Sequence, residues 1–204
     1  MRSIYVSTIL IFLVFGAASS GSGQTAKEFL ERSQEKAFKD PAGALADINE
    51  AIRIDPALDE AWNQRAILYS FRKDYKSAVT DYSKAIELKP KDANYYSNRA
   101  GAYIKLDDLA KALPDYDTEI ELWPTNEHAW MDRGKLRTKM KQYQLAIDDF
   151  NHSLTLMPQL FVNYQYRAEA YRGLGKTALA DADDQRYAVE KDNFIKEMEK
   201  RMKP

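Results

Sequence analysis

Apolar residues recur along this chain on two beats, one nested in the other. Trp62, Ala66, Tyr69 and Phe71 recur at helical spacing in one run, and Ala78, Val79, Tyr82, Ala85, Ile86 and Leu88 in a second. The polar run Arg72-Lys73-Asp74 separates the two stretches. Pro90 ends the second, because proline has no N–H to continue the ladder and pushes the residue before it toward extended geometry. The pattern predicts a helix-turn-helix hairpin. One hairpin cannot bury its own apolar stripe, so neighbours must stack.

The slower beat is set by Pro56, Pro90, Pro124 and Pro158, spaced 34 residues apart. Six residues after each proline stands an aromatic (Trp62, Tyr96, Trp130, Tyr164), and ten after stands a small residue (Ala66, Ala100, Gly134, Ala168). Twelve before each stands alanine: Ala44, Ala78, Ala112, Ala146. A fixed period of this length marks one unit copied in tandem. On these residues the chain resembles the tetratricopeptide repeat family, most strongly over 59–192. The resemblance implies an all-α fold, a right-handed superhelical solenoid of antiparallel helix-turn-helix repeats. It divides the chain into a degenerate repeat at 26–58, repeats at 59–92, 93–126, 127–160 and 161–194, and a C-terminal capping helix at 195–204. The degenerate repeat keeps a clear second helix, opened by Asp40 as N-cap and Pro41 in the first turn. At the far end Asp192 replaces the expected proline, leaving open whether 195–203 caps or extends the last helix.

Charges keep the same period. Nine residues after each proline stands an arginine (Arg65, Arg99, Arg133, Arg167), and nine before each an aspartate (Asp47, Asp81, Asp115, Asp149). Antiparallel helices joined at the proline would bring these equidistant positions together as Asp47–Arg65, Asp81–Arg99, Asp115–Arg133 and Asp149–Arg167, with Asp183 meeting Arg201. The first helix carries Glu31 at the arginine position, which favours pairing across repeats over pairing within one. The expectation is a register-fixing ladder rather than an anion-binding stripe, since charges in packed surfaces are nearly always paired. Glu119 and Arg137 break the pattern by replacing an alanine and a tyrosine, and they read as a second ion pair beside Asp115–Arg133. The alternative is that one of the two is displaced into a ligand site.

Little here points to catalysis. Gly173-Leu-Gly175-Lys176-Thr177 imitates the end of a phosphate loop, but Ala170 stands where its first glycine belongs and no strand precedes it, so it reads as a hairpin turn. His128 and His152 lack metal-ligand company, and Asp148-Asp149 and Asp183-Asp184 lie on helix surfaces without a cleft. Asn151-His-Ser153 spells a glycosylation sequon inside a helix. No catalytic residue, metal or cofactor is assigned.

The resemblance implies that the first helix of each hairpin lines a concave groove where peptides or helices lie. Carried onto this chain, the candidate partner-binding residues are Asn63, Gln64, Asn94, Asn98, Lys105, Met131, Lys135, Lys139, Gln165, Tyr166 and Arg172, with Glu60, Ile67, Phe71, Ser97, Gly101, His128, Asp132, Val162 and Glu169 on the same inward face. Amides dominate the early half; they both donate and accept, which suits the backbone of an extended peptide. Lys135, Lys139 and Arg172 make the later half more basic and receptive to carboxylates. Tyr-Ser-Asn98-Arg-Ala resembles part of the clamp of chaperone-binding members, but Asn63, Ile67, His128 and Asp132 occupy the positions of its other polar residues, so that role is set aside. The plain alternative is a solvated concave face with no specific ligand.

Composition narrows the setting. Of 204 residues, 30% are charged and the net charge is −1, so no excess of either sign favours nucleic acid or an anionic membrane. With no cysteine, disulfides and thiolate sites are excluded. Met1-Arg2, an apolar run from Ile4 to Phe15, and Gly16-Ala17-Ala18 follow the order of a signal peptide at 1–18, with a flexible linker at 19–25. The run is shorter than the roughly 20 residues of a spanning helix, although a retained anchor is the alternative. The sequence thus points to a non-enzymatic scaffold, periplasmic or secreted, that binds a protein or peptide and neither a nucleic acid nor a small-molecule substrate. After leader removal it would have no membrane span. The second reading is a structural subunit of an envelope complex that uses its convex or terminal surfaces.

Overall fold

The computed structural model describes residues 24–202, and the expected leader and residues 19–23 of the linker lie outside them. Ten helices follow in order: α1 (Ala26–Lys36), α2 (Pro41–Ile54), α3 (Asp59–Phe71), α4 (Tyr75–Leu88), α5 (Ala93–Lys105), α6 (Leu109–Leu122), α7 (Glu127–Lys139), α8 (Tyr143–Leu156), α9 (Val162–Gly173) and α10 (Thr177–Met202). They form five antiparallel hairpins, each packed against the next, in an all-α solenoid. Residues 195–202 are not a separate cap, because α10 runs unbroken through them. With no proline near 192, nothing stops the hydrogen-bond ladder there.

Local chemistry sets where the helices begin and turn. Thr25 opens α1 with a reciprocal capping box to Glu28, and Asp40, Asp74, Asp92 and Asn126 accept first-turn amides of α2, α4, α5 and α7. Four hairpin turns place one residue in the left-handed region: Lys73 (φ 62°), Asp107 (φ 60°), Lys141 (φ 61°) and Gly175 (φ 71°), again on the 34-residue beat. In each, the next residue donates back across the turn: Asp74 to Tyr69, Asp108 to Tyr103, Gln142 to Arg137, Lys176 to Tyr171. The glycine-lysine-threonine run is therefore the turn between α9 and α10.

The proline beat and the aromatic beat are coupled. The indole N–H of Trp62 donates to Pro56 O at 3.0 Å, that of Trp130 to Pro124 O at 2.9 Å, and the Tyr96 hydroxyl to Pro90 O at 3.1 Å. Each bond satisfies a carbonyl left without a helical partner and ties the turn to the next hairpin. Inside each hairpin the small residue at the tenth position lets the facing helix close in. Ala66, Ala100 and Ala168 are completely buried, and the fourth member of the series is Gly134. A methyl on Gly134 would stand 2.7 Å from Cε1 of the buried Phe150.

The charged ladder exists, but in a different register from the one the spacing suggested. Nε and Nη2 of each arginine clasp the aspartate 16 residues ahead, on the second helix of the same hairpin. The distances are 2.6 and 2.9 Å for Arg65–Asp81, 2.9 and 2.7 Å for Arg99–Asp115, 3.2 and 2.7 Å for Arg133–Asp149, and 2.8 and 2.6 Å for Arg167–Asp183. Nη1 turns to the preceding repeat and meets Asn49, Ser83, Asp117 or Asn151. The expected Asp47–Arg65 pair and its successors across the prolines are absent among the described residues. Asp47 is instead held by Arg32 and Lys36 of its own hairpin, whose hydrogen bonds and charge bring its carboxyl down to about 2. Arg32 thus does the work that Glu31 seemed to leave undone. Asp183 does not reach Arg201, which pairs with Glu197 on its own helix at 2.6 Å.

Glu119 and Arg137 also do not meet. Arg137 donates to Asp149 at 2.8 Å, joining Arg133 there, while Glu119 accepts from Asn126 alone at 3.1 Å. Both side chains keep one buried polar atom without a partner, Glu119 Oε2 and Arg137 Nε.

Candidate partner-binding groove

The first helices of successive hairpins line a run of cavities. A 450 Å³ cavity opens between Gln34, Phe38 and Pro41 on one side and Gln64, Ile67 and Phe71 on the other. Ile67 and Phe71 also border the next, of 560 Å³, which takes in Ser97, Asn98, Gly101 and Lys105 of α5 and Asp132 of α7. Two smaller ones, of 220 and 270 Å³, continue past Lys135 and Lys139 to Tyr166 and Glu169. The surface is a segmented channel along α3, α5, α7 and α9 rather than one deep pocket.

Its polar equipment is specific in places. Asn98 Nδ2 donates to Asn63 Oδ1 at 3.2 Å, so the amides on adjacent repeats are linked. Gly101 has nothing within 4 Å of where a Cβ would sit, and that open space is part of the channel. Phe71 is 71% exposed and Phe38 is 90% exposed, giving the first cavity a bare aromatic rim. Isolated exposed apolar residues are ordinary, but here two exposed aromatics border one concavity.

The expected basic half is largely neutralised. Lys135 pairs with Asp132 and Lys139 with Asp107, each at 2.8 Å, and Arg172 pairs with Asp184. Lys105 is the cation that borders the 560 Å³ cavity, and it has no acidic partner among the described residues. Of the other candidates, Asn94 is exposed and bonded to its neighbour Asp92, and Gln165 is exposed and borders none of these cavities. Met131 packs on the core around Phe150 and borders none of these cavities. His152 stacks against Trp130 with ring centroids 3.9 Å apart, and His128 is exposed beside Glu127. Asn151 of the sequon takes a hydrogen bond from Arg167, and Ser153 is fully buried, bonded to Asn163 and to Glu127 O at 2.7 Å each.

Some channel residues were not legible beforehand. Tyr75 and Tyr82 of α4 and Tyr116 of α6 reach it from the second helices, where period alone marks them as core. The first hairpin's Phe38 comes from a turn with no helical pattern to reveal its direction.

Family models of the tetratricopeptide repeat match residues 59–92 and 127–160, two of the hairpins described above and in phase with the rest. The chain carries tetratricopeptide repeats. A search of the curated proteins returns no match. Among solved structures, MamA from Desulfovibrio magneticus RS-1 superposes on this tetratricopeptide-repeat chain with a TM-score of 0.78 at 20% identity, over 85% of this chain and 98% of MamA. YrrB, described as a TPR protein with an unusual peptide-binding site, gives 0.73 at 16% identity over 83% and 88%. PilW, a type IV pilus biogenesis factor, gives 0.71 at 23% identity over 84% and 80%. At these identities the likeness is one of fold.

Proposed function

We propose that this protein is a non-enzymatic interaction scaffold that holds an extended peptide or protein segment in its concave channel, outside the cytoplasm. The observation that carries the proposal is the segmented series of lined cavities whose rims combine bare aromatics (Phe38, Phe71) with the amide of Asn98, itself linked to Asn63. Amides bond to a peptide backbone without regard to its sequence, and exposed aromatics supply apolar contact area at low entropic cost. The likeness in fold to a peptide-binding TPR protein supports this reading, and the leader-like order of residues 1–18 supports the location. Capture of partners from an extracytoplasmic fraction, with the chain unchanged and with Asn98→Ala plus Phe71→Ala, tests it. Capture should fall at least tenfold in the variant while helicity stays constant. Undiminished capture would overturn the groove as the binding surface. N-terminal sequencing of the exported protein should begin just after Ala18, and a chain still carrying Met1 would contradict the leader.

One observation favours the second reading, a structural subunit that binds through its end. α10 continues past the last repeat with Phe194 and Ile195 about half exposed and Met202 79% exposed. Replacing Ile195 and Met202 by glutamate separates the two: a loss of capture there, with none from the groove variant, assigns binding to the terminal helix.

A further inference from the structure

Glu119 occupies a site that the repeat otherwise reserves for small side chains. The same position, five residues before the proline, holds Ala51, Ala85 and Ser153, and all three are fully buried. Glu119 is only 4% exposed, yet its carboxylate is half-satisfied: Oε1 accepts from Asn126, and Oε2 has no partner. Ser153, by contrast, spends its hydroxyl on Asn163 and Glu127 O. A buried carboxylate oxygen without a hydrogen bond carries a desolvation cost that a structural role would not need.

Among the described residues no cation pairs with the Glu119 carboxylate. Arg133 and Arg137, the nearest guanidiniums by register, are committed to Asp149 and Asp117. The groups that act on the Glu119 carboxyl from neighbouring helices are Ser97 on α5 and Asp132 on α7, and Asp132 is a second negative charge. Ser97 and Asp132 both line the 560 Å³ cavity, as does Tyr116, one turn earlier on α6. Glu119 itself lines none of these cavities and lies directly behind Ser97 and Asp132, so two acids converge at one end of the channel. Lys105 borders the same cavity eight residues beyond Ser97 on α5, about 12 Å away along the helix. Asp132 is engaged by Lys135, but that pair lies on one helix with a side chain 41% exposed, the kind of contact that a better-desolvated cation displaces.

We propose that the channel between α5 and α7 carries a subsite for one cationic side chain of the bound segment, a lysine or arginine, received by Glu119 and Asp132. The subsite deepens the peptide-scaffold reading and rests on it. An entering ammonium or guanidinium completes the Glu119 carboxylate and cancels its repulsion with Asp132. Both gains are absent for a neutral or acidic side chain, so the subsite sets specificity along a channel that otherwise accepts backbone.

The test is selection of random displayed dodecapeptides on the full chain, repeated on Glu119→Gln with Asp132→Asn. The unchanged chain should enrich peptides with Lys or Arg at one fixed position. The double variant should lose that preference and bind the selected lysine peptide at least tenfold more weakly. Enriched peptides with no cationic position, or a preference that persists in the variant, would overturn the subsite while leaving the channel as a peptide site. If nothing is enriched, the scaffold reading fails and the subsite with it. Glu119→Ala restores the residue of the earlier repeats, so its folding is assured by Ala51 and Ala85, and it should show the same loss. As a second readout, the ¹³C-carboxyl resonance of Glu119 should titrate at lower pH on adding the selected lysine peptide and not on adding its norleucine analogue.

Discussion

Arg65 clasps Asp81 through Nε at 2.6 Å and Nη2 at 2.9 Å, and both belong to the same hairpin. The two residues are mirror positions about Lys73, the left-handed residue at the hairpin turn. Because each arginine stands nine after one proline and each aspartate nine before the next, Arg65 is equally the mirror of Asp47 about Pro56. Spacing alone offers two mirror centres. Close to the proline its mirror does hold, since Asn163 donates to Ser153 at 2.7 Å, each five residues from Pro158. Farther out, the aspartates sit with their own hairpins and the guanidinium reaches the neighbouring repeat only with Nη1.

A double-mutant cycle separates the two pairings. The Arg99–Asp115 couple should show an interaction energy of ~1–3 kcal/mol, while Asp81 with Arg99 should show under about 0.5 kcal/mol. Replacing Asp115 alone by alanine leaves a half-buried guanidinium without its carboxylate and should cost ~3–5 kcal/mol. Chemical denaturation of the two single variants and the double in each cycle measures both. A larger coupling for Asp81–Arg99 would reinstate the proline-centred register.

The fold was legible because its signals repeat: prolines, aromatics and small residues each recur in phase, and one hairpin explains them all. The hydrogen bond from Trp62 to Pro56 explains why two of those series keep a fixed offset. The ladder's residues were legible but its pairing was not, since periodicity cannot choose between two equivalent centres. The channel was partly legible. Asn98, Lys105 and Gly101 face it as first-helix geometry requires, whereas Tyr82 and Tyr116 look like core and yet border the cavity. Glu119 stood out as a departure from the period, but sequence could not show that Asp149, already holding Arg133, would also take Arg137.

The left-handed turns make a prediction that carries no change in contacts. Lys73, Asp107 and Lys141 hold φ near +60°, a region that disfavours a side chain, while Gly175 fills the equivalent place without strain. Lys141→Gly should stabilise the chain by up to about 1 kcal/mol, and Gly175→Ala should destabilise it by about 1 kcal/mol. Thermal melts of the two variants should move in opposite directions. Shifts of the same sign would refute the account.

Gly134 tests the packing inside the third full hairpin. A methyl there meets Phe150 Cε1 at 2.7 Å and Cζ at 2.9 Å, and the fully buried ring has no room to retreat. Gly134→Ala should therefore cost ~1–3 kcal/mol despite alanine's better helix propensity. Adding Phe150→Leu should cost less in that background than in the unchanged chain, because leucine vacates the space the methyl needs. Strict additivity of the two substitutions would show that the clash is not what matters.

Glu119 should give the stability a pH dependence of its own. Burial lifts its carboxyl to about 7, aided by the charge of Asp132 on α7 and opposed by the nearby Ser97 hydroxyl on α5 and by the hydrogen bond from Asn126 in the turn between α6 and α7. In the unfolded chain the same group ionises near its ordinary 4.5. Below that value both states are protonated and the group contributes nothing. As pH rises from about 4.5 to 7 the unfolded state releases its proton first, so stability falls across that window and then levels off. Glutamine keeps the shape of the protonated acid without titrating. The stability gained by Glu119→Gln should be near zero at pH 4.5 and grow to ~1–3 kcal/mol at pH 8, discounted for water reaching the channel side. Urea midpoints for both chains across this range measure the difference directly. A gap that stays constant with pH would mean that Glu119 titrates normally in the folded protein and that its unpartnered oxygen is reached by water.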